Sequence, residues 1–426
     1  MLLLLLVAGC NALPSFTESR PTATSPARTP TPSPVQPVTA SPTQVETPAG
    51  PTTVTVWLPP QFDPANGSLS GKLLQERLDE FSARRPGIRL DVRIKSLEGN
   101  GGMLDALSAA NAAAPRALPD LILLPRSLLE AAALKGLLHP LDGLTSSLDD
   151  TDWYEYAREL ASLQNSAFGI PFAGDALLLS YRPSFIPAPP RDFSSVLQTQ
   201  ETLSFPAADP LSLLTLSLYQ AAGGSVQDVL GRPTLDPDKL AQVLAFYQEA
   251  AAAGVISDRT TQLEKDEQAW SDYLGGQSNI AVTWLTRFLS QGNDFQAQNS
   301  AAPLFSPDGK PYTLATGWAW ALASPQPEKQ SLSVELAEYL TKSDFLSEWT
   351  SAAGYLPPRS TALSAWKNTD MQTLANQVAL SSHLYPTTDL LSSLAPALRH
   401  ATLQAIKGQG DPQTLAQQAV NRLLNP

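Results

Sequence analysis

Apolar and polar positions alternate along the chain in short blocks that predict strands followed by helices. Residues 54–58 are β-branched and apolar and are followed by Pro59, as expected of a strand that stops abruptly. A helix is predicted next, capped by Ser70 and closed before Pro86, because apolar residues recur there every three to four positions. Those positions are Leu74, Leu78 and Phe81.

The same alternation continues beyond this helix. Apolar residues occupy every second position of 88–94, between charged ones, which predicts a half-buried strand. Strands alternating with helices favour an α/β fold with parallel crossovers, and we see no internal repeat. The remaining predicted elements are strands at 121–124 and 280–284, a helix that follows the first of these and is closed by Gly136, and helices at 104–113, from Asp236 to Gly254, at 331–340 and from Asp411 onward.

Composition places the main part of the chain among globular proteins. Apolar residues make up 43% of the sequence and charged residues 16%. Roughly 370 residues outside the N-terminal region are enough for two lobes, each with its own core. The net charge of -12 opposes nucleic-acid binding, which depends on Lys and Arg neutralising phosphates. We therefore expect no nucleic-acid partner.

The N-terminal region predicts export and a lipid anchor. Residues 2–9 are apolar or small and end at Cys10, the only cysteine, which resembles the lipobox of bacterial lipoproteins. Residues 1–10 are therefore interpreted as a lipoprotein signal peptide, with Cys10 lipidated and holding the protein to the outside of the cell membrane. The apolar run is shorter than the roughly 20 residues that span a bilayer. It is also short for a signal peptide, so we expect the true start codon upstream; a truncated signal peptide with a chance cysteine is the alternative.

Residues 11–52 are rich in Pro, Thr and Ser and predict a disordered tether. Proline prevents a helix, and the segment is too polar to form a core. At about 3.1 Å per residue in the polyproline form, it would reach on the order of 100 Å. The folded part would then sample space well away from the membrane.

The order of short motifs from residue 54 to residue 424 resembles the extracellular solute-binding proteins of ATP-driven (ABC) importers, a family with carbohydrate-binding members. Each motif is weak alone, but their order and spacing cover nearly the whole folded part. The motifs are the opening strand at 54–57, Phe81 with 85–88, Pro119-Asp120-Leu121-Ile122, 136–142, Gly169-Ile170-Pro171-Phe172, 179–181, 221–224, 276–284, Gly317-Trp318-Ala319-Trp320, 354–359 and 408–424.

The resemblance implies an α/β, two-lobed, periplasmic-binding-protein-like (type II) fold whose lobes close on a ligand held in the cleft between them. It implies three crossover segments, near 173–180, 312–315 and 354–358. The lobes are then discontinuous: 53–175 with 315–353 form lobe 1, and 176–314 with 354–426 form lobe 2. The implied partner is the permease of an ABC importer, and we expect the protein to be a monomer.

Aromatic faces and hydroxyl acceptors are what a sugar site needs, because buried hydroxyls require partners. By position in the family, Trp284, Trp318 and Tyr355 are candidates for the aromatic faces. Core packing is the alternative for both tryptophans, and Trp320 shares a strand face with Trp318. The other candidates are Gly317, Asp175, Asp63 and Gln61, with Asp209 and Arg359 as weaker ones. A plain turn is the alternative for Asp63 and Gln61. A solvated carboxylate in a loop is the alternative for Asp175.

The predicted function is capture of a small polar ligand, preferably a sugar or polyol, and its delivery to an importer. At 123–127 and 392–396 the chain departs from the aromatic and acidic residues of sugar-binding relatives, so a different sugar, or no sugar, stays open. The chain shows no motif of a metalloprotease, serine hydrolase or P-loop enzyme, and its three histidines are scattered. We expect no enzyme activity, cofactor or metal; a sensor's binding module and a lipid-anchored hydrolase are the alternatives.

Overall fold

The computed structural model describes residues 51–424. The predicted signal peptide, the lipidation site at Cys10 and nearly all of the predicted tether lie outside the described residues. Among the residues described, no helix is both long and apolar enough to cross a bilayer.

Eleven strands and sixteen α-helices are formed by residues 51–424. The strands are β1 Thr52–Leu58, β2 Ile88–Ile94, β3 Leu121–Pro125, β4 Ser162–Leu163, β5 Ser166–Ala167, β6 Ile170–Tyr181, β7 Leu203–Ser204, β8 Ile280–Trp284, β9 Ser300–Ala302, β10 Thr313–Leu322 and β11 Ser382–Leu384. The helices are α1 Leu69–Ala83, α2 Met103–Ala113, α3 Arg126–Leu134, α4 Glu155–Ala161, α5 Phe193–Thr199, α6 Leu213–Ala221, α7 Pro237–Ala252, α8 Asp266–Leu274, α9 Leu285–Leu289, α10 Asn293–Gln296, α11 Pro327–Leu340, α12 Ser343–Ala353, α13 Ser360–Ser364, α14 Thr369–Leu380, α15 Thr388–Ile406 and α16 Pro412–Leu424.

One nine-stranded sheet runs through the fold, with a main path in the order β2-β1-β3-β10-β6-β8-β7. Strands β1, β2 and β3 are parallel, as are β7 and β8. Strand β10 is antiparallel to both β3 and β6, and β6 is antiparallel to β8. The sheet is therefore mixed, with a parallel block at each end joined by β10 and β6.

The two long strands β6 and β10 link the two parallel blocks. The first part of β6 pairs with β10, and its second part, Leu177 to Tyr181, pairs with β8. A third segment lies alongside, because Leu356 and Gly174 exchange both backbone hydrogen bonds at 2.8 Å. These three segments coincide with the crossovers implied by the family resemblance.

The core has three parts. One cluster of buried residues covers one face of the first parallel block, including Val56 and Trp320, and extends to Tyr273 and Leu285 beside β8. A second covers the other face of the first block and includes Ile122. The third surrounds β8 and contains Leu179, Val282 and the buried sides of α6, α7, α15 and α16. Apolar burial of this kind is the main stabilising contribution to folding.

The predicted lobe boundaries stay a prediction. Residues from Leu356 to Ala379, which the sequence assigns to lobe 2, pack in the structure with the first cluster. Helices α15 and α16 pack with the third cluster.

The elements predicted from periodicity are confirmed by the described structure, with one correction at a cap. Ser68, and not Ser70, is the N-cap of α1, because its hydroxyl oxygen accepts the N–H of Gly71 at 3.0 Å. The side chain of Asn66 accepts the N–H of Ser68 at 2.8 Å and fixes the preceding turn. Either serine could cap a helix by residue type, and the turn fixed by Asn66 determines that Ser68 does so.

Candidate functional site

The loops that follow the carboxyl ends of parallel strands carry several of the predicted site residues. Gln61 and Asp63 follow β1, and Glu98 follows β2 at the same edge of the sheet. In the other parallel block, Trp284 is the last residue of β8, and Asp209 lies in the loop after β7. In open α/β sheets, ligands bind in the crevice beyond the carboxyl ends of the strands.

A cavity of about 600 Å³ lies at these ends, lined mainly by the β7–β8 block, with Glu98 as the lining residue that follows β2. This volume is within the usual range of small-molecule sites, roughly 300–1,000 Å³. We call it the Trp284 cavity; its lining residues are Glu98, Leu177, Pro206, Asp209, Pro210, Leu211, Leu213, Leu214, Glu264, Lys265, Asp266, Glu267, Val282, Trp284 and Arg287.

Trp284 is half-buried and presents part of its ring to this cavity. Its backbone pairs with Leu177 of β6, and its side chain packs against the third core cluster. The indole is thus fixed by packing on one side and available on the other. A fixed aromatic face of this kind is suited to stacking against the C–H surface of a ligand.

Asp209 is half-buried and holds the loop that leads into α6. Its carboxylate oxygens accept the N–H groups of Leu211 at 2.9 Å and Leu213 at 3.0 Å. Burial raises the pKa of Asp209, while these two hydrogen bonds and the charge of Arg399 act in the opposite direction. Ser212, inside the loop, has the left-handed backbone angle φ 52°, which is costly for a non-glycine residue.

The acids of the Trp284 cavity are partly neutralised within the wall. The guanidinium of Arg287 forms ion pairs with Asp266 and with Glu267. Glu98, Glu264 and Lys265 are exposed at the cavity. Exposed carboxylates beside a fixed indole provide hydrogen-bond acceptors next to an aromatic face.

A second group of predicted residues forms an aromatic cluster at β10. Phe62, from the loop after β1, lies 4.8 Å from the ring centre of Trp318 and 5.5 Å from that of Tyr355. Tyr355 also stacks on Trp349 at 5.8 Å. Phe62 is buried, whereas Trp318 and Tyr355 are half-buried and keep part of their surface exposed. The buried Phe62 therefore packs against both predicted aromatic residues, Trp318 and Tyr355.

Asp175 connects the aromatic cluster to the Trp284 cavity. It pairs with Thr316 of β10, and its carboxylate accepts the backbone N–H of Thr286 at 3.0 Å as well as the Thr286 hydroxyl. Burial raises the pKa of Asp175 to about 7, although the hydrogen bonds from Thr286 oppose the shift. Burial, reinforced by the Asp175 carboxyl, also raises the pKa of Tyr355. Asp175 thus joins β6 to the start of α9, two residues after Trp284.

Gly317 lies on β10, where it pairs with β6 and is close to α4. A Cβ atom there would be 2.5 Å from the carbonyl oxygen of Ala173 and 2.7 Å from a methyl group of Leu160. Its partner across the strands, Gly174, is likewise covered by the ring of Tyr156. This close approach of backbone and side chain accounts for a glycine at position 317, and no ligand contact is needed to explain it.

The remaining predicted residues have local partners. Gln61 is exposed in a single 3-10 turn, and Asp63 is half-buried, with an oxygen that accepts the N–H of Ala65 at 2.8 Å. Arg359 is buried; its Nη1 contacts Asp150 at 2.9 Å and Asp152 at 2.7 Å. The Nη1 of Arg359 is therefore occupied by ion pairs within the protein.

The structure thus brings Trp284 and Asp209 into one cavity and Trp318 and Tyr355 into one aromatic cluster, while Asp175 contacts Thr286, two residues after Trp284. The site residues that the sequence analysis missed include Phe62, Thr286, Glu98 and Arg287. Phe62 could have been found as the one large apolar residue in a loop of turn-forming residues. The partners of Thr286 and Arg287 are distant in sequence, and no local pattern indicates these two residues or Glu98.

A ligand cavity between two linked α/β blocks defines the class of two-lobed binding proteins. The sequence profile of the bacterial extracellular solute-binding proteins matches residues 76–375, about 70% of the chain. The chain belongs to this family, whose members are binding proteins and not enzymes. No curated protein matches the chain with significance.

Solved structures with the same fold include several sugar-binding proteins of low sequence identity. The cyclic α-maltosyl-1,6-maltose-binding protein of Arthrobacter globiformis has a TM-score of 0.71 and 18% identity, covering 88% of this chain and 99% of that one. A cyclo/maltodextrin-binding protein complexed with maltotetraose has a TM-score of 0.71 and 20% identity, covering 88% and 97%. The sugar-binding protein MalE of Xanthomonas citri has a TM-score of 0.69 and 18% identity, covering 87% and 96%. These likenesses confirm the predicted two-lobed fold.

Proposed function

We propose that the protein captures a sugar or polyol in the Trp284 cavity and passes it to the permease of an ABC importer. The observation that carries the proposal is the cavity itself, because its lining combines Glu98, which follows β2, with residues of the β7–β8 block, so that a ligand reaching Glu98 would contact both blocks. Such a ligand stabilises the closed arrangement by its differential contacts. The sugar-binding proteins with this fold support the choice of ligand class.

The chemistry of the lining favours a neutral polyhydroxylated molecule. The indole of Trp284 supplies a flat face, and Asp209 and Glu98 supply acceptors for hydroxyl groups. Trp318 and Tyr355 keep partly exposed aromatic surface in the aromatic cluster, and Asp175 links β6 to Thr286, two residues after Trp284. Phosphorylated ligands fit less well, because Arg287 is already paired with two carboxylates and the exposed Lys265 lies in a lining with a surplus of acidic residues.

Calorimetric titration after a thermal-shift screen of sugars, polyols, amino acids and polyamines tests the ligand class. A ligand present at about 100 times its dissociation constant adds roughly 2.7 kcal/mol of stability. For the sugar that binds, Trp284→Ala should weaken affinity by about 1 kcal/mol or more, roughly fivefold, while the matched loss of an exposed ring in Phe185→Ala leaves it unchanged. Stabilisation by polyamines or amino acids alone, with no sugar active, would refute the sugar assignment.

The lipid anchor and the tether complete the proposal. Lipid on Cys10 would hold the protein at the outer side of the cell membrane, and residues 11–52 would let the binding domain reach a permease. Cys10→Ala should move the protein from the membrane fraction to the soluble fraction, while Cys10 itself becomes labelled with palmitate in the native protein. Retention of the Cys10→Ala protein in the membrane would show that something other than lipid holds it.

A further inference from the structure

Apolar atoms form most of the accessible surface inside the Trp284 cavity. Eight of its fifteen lining residues are leucine, proline, valine or tryptophan. In the larger groove beside Arg126, which has a volume of about 790 Å³, polar atoms form the greater part of the surface. Hydroxyl groups need polar partners when they are buried. The Trp284 cavity therefore offers more apolar wall than the hydroxyl groups of a plain sugar can use.

Part of this apolar wall is open to a ligand. Leu211 is 41% exposed, Pro210 is exposed, and Pro206 and Trp284 are half-buried. The other four apolar residues of the lining are buried. Removing apolar surface from water is favourable, so an apolar group of a ligand gains affinity by covering the accessible part of this wall.

The loop that carries Leu211 is held in one conformation. The two carboxylate oxygens of Asp209 accept the N–H groups of Leu211 at 2.9 Å and Leu213 at 3.0 Å. Ser212, with its left-handed φ of 52°, donates its hydroxyl to the carbonyl oxygen of Ala395 at 3.2 Å. Strained residues persist where the surrounding contacts fix them, and they are frequent at functional sites. The protein thus spends backbone energy on a loop that keeps an aliphatic side chain exposed at the cavity.

The polar groups that remain for a ligand are exposed and charged. Glu98, Glu264 and Lys265 line the cavity and are exposed, whereas Arg287 is already paired with two carboxylates. Hydroxyl groups of a ligand find their partners among these exposed side chains. The volume of about 600 Å³ is large enough for a ligand with both a hydroxylated part and an apolar part.

We propose that the ligand of the Trp284 cavity is a sugar or polyol that carries an apolar substituent, such as the alkyl or aryl group of a glycoside. The inference rests on the proposed function and adds the class of sugar. The substituent packs against Leu211, Pro210 and the indole of Trp284, while the hydroxyl groups bind the exposed carboxylates. Leu211 is then a specificity-determining residue, which favours substituted sugars over free ones.

The test is calorimetric titration of the full chain with the methyl, n-butyl and phenyl glycosides of glucose, galactose, mannose and maltose. Within each set the sugar is constant and only the apolar group changes. The n-butyl group exceeds methyl by three methylene groups, each worth about fourfold in affinity when fully buried. At least one n-butyl or phenyl glycoside should therefore bind at least about fivefold more tightly than its methyl partner.

The outcomes separate this inference from the proposed function. If a methyl glycoside or free sugar binds and the larger groups give a smaller gain, the inference is overturned and the sugar assignment stands. If neither sugars nor glycosides bind, the proposed function fails and the inference fails with it. If n-butanol binds as tightly as the n-butyl glycoside, the sugar part contributes nothing, and the inference is overturned as well.

Two leucine variants locate the contact. In Leu211→Ala protein with native circular dichroism, the ratio of n-butyl to methyl glycoside affinity should fall at least about threefold, because part of the apolar wall is lost. A purely structural effect would weaken both glycosides alike, and an unchanged ratio would overturn the role of Leu211. The matched control is Leu230→Ala, which removes a leucine that is 72% exposed and lies outside the lining. An equal fall of the ratio in Leu230→Ala would also overturn the assignment.

Discussion

Replacing Gly317 by alanine should destabilise the protein by forcing apart the two strands that join its halves. The added Cβ would lie 2.5 Å from the carbonyl oxygen of Ala173, about 0.9 Å inside ordinary van der Waals contact. The obstacle is backbone in the paired strand β6, and it cannot rotate away as a side chain would. Overpacking of this kind costs about 1–3 kcal/mol, and we expect the upper part of that range, with a midpoint of thermal unfolding lower by about 3–4 °C.

Urea unfolding followed by tryptophan fluorescence measures the effect, and Gly87→Ala is the matched control. Gly87 is exposed, and a Cβ there would meet no atom within 4 Å. The same chemical change at Gly87 should therefore leave the free energy of unfolding within about 1 kcal/mol of the wild type. If Gly317→Ala is as stable as Gly87→Ala, the close approach of β10 to β6 does not explain the glycine.

Three further predictions follow from buried contacts. Asp175→Asn should flatten the pH dependence of the free energy of unfolding. The pKa of Asp175 is about 7 in the folded protein, above its unfolded value, so the wild type binds this proton more tightly when folded and should lose stability relative to the variant as pH rises from about 4 to 7. If urea unfolding shows the same change in stability for both proteins between about pH 4 and pH 7, the reasoning is wrong. Tyr156→Phe should cost about 1–2 kcal/mol in urea unfolding, because the lost hydroxyl donates to the carbonyl oxygen of Pro357 at 3.0 Å in a fully buried position, and an unchanged midpoint would argue against that bond. Arg359→Lys should lower stability by about 1–2 kcal/mol, since the guanidinium stacks 3.8 Å over Trp153 as well as pairing with two aspartates, yet leave sugar affinity unchanged in calorimetry; a clear loss of affinity would restore its predicted ligand role.

The sequence predicted the elements well where one face of each element is buried. The apolar stripe of α7 is a local pattern of this kind, and the alternation in β2 indicates a strand although its residues are only half-buried or exposed. The order of motifs then indicated the family, and with it the fold and the three crossover segments. Local pattern and family order together were enough to describe the architecture.

The details of the site were beyond the sequence, because they depend on contacts between distant residues. Phe62 meets Trp318 and Tyr355 only after the sheet has formed, and nothing near Phe62 indicates either partner. The sequence around Arg359 does not show whether its side chain contacts a ligand or other protein residues. In the structure it contacts two aspartates some 200 positions earlier. Single ionisable residues in loops are therefore the weakest part of a prediction from sequence.

The position of β10 at the centre of the sheet sets an order of events during synthesis. Strand β3 pairs with β10, and Leu121 meets Leu322 only after about two hundred further residues have been made. At roughly 5–20 residues per second, β3 waits on the order of 10–40 s for its neighbour. Through that interval the parallel block of β1, β2 and β3 has an open hydrophobic edge, the kind of surface that chaperones bind. The strand that later joins the two halves is thus also the one whose late arrival leaves the nascent chain most exposed to aggregation.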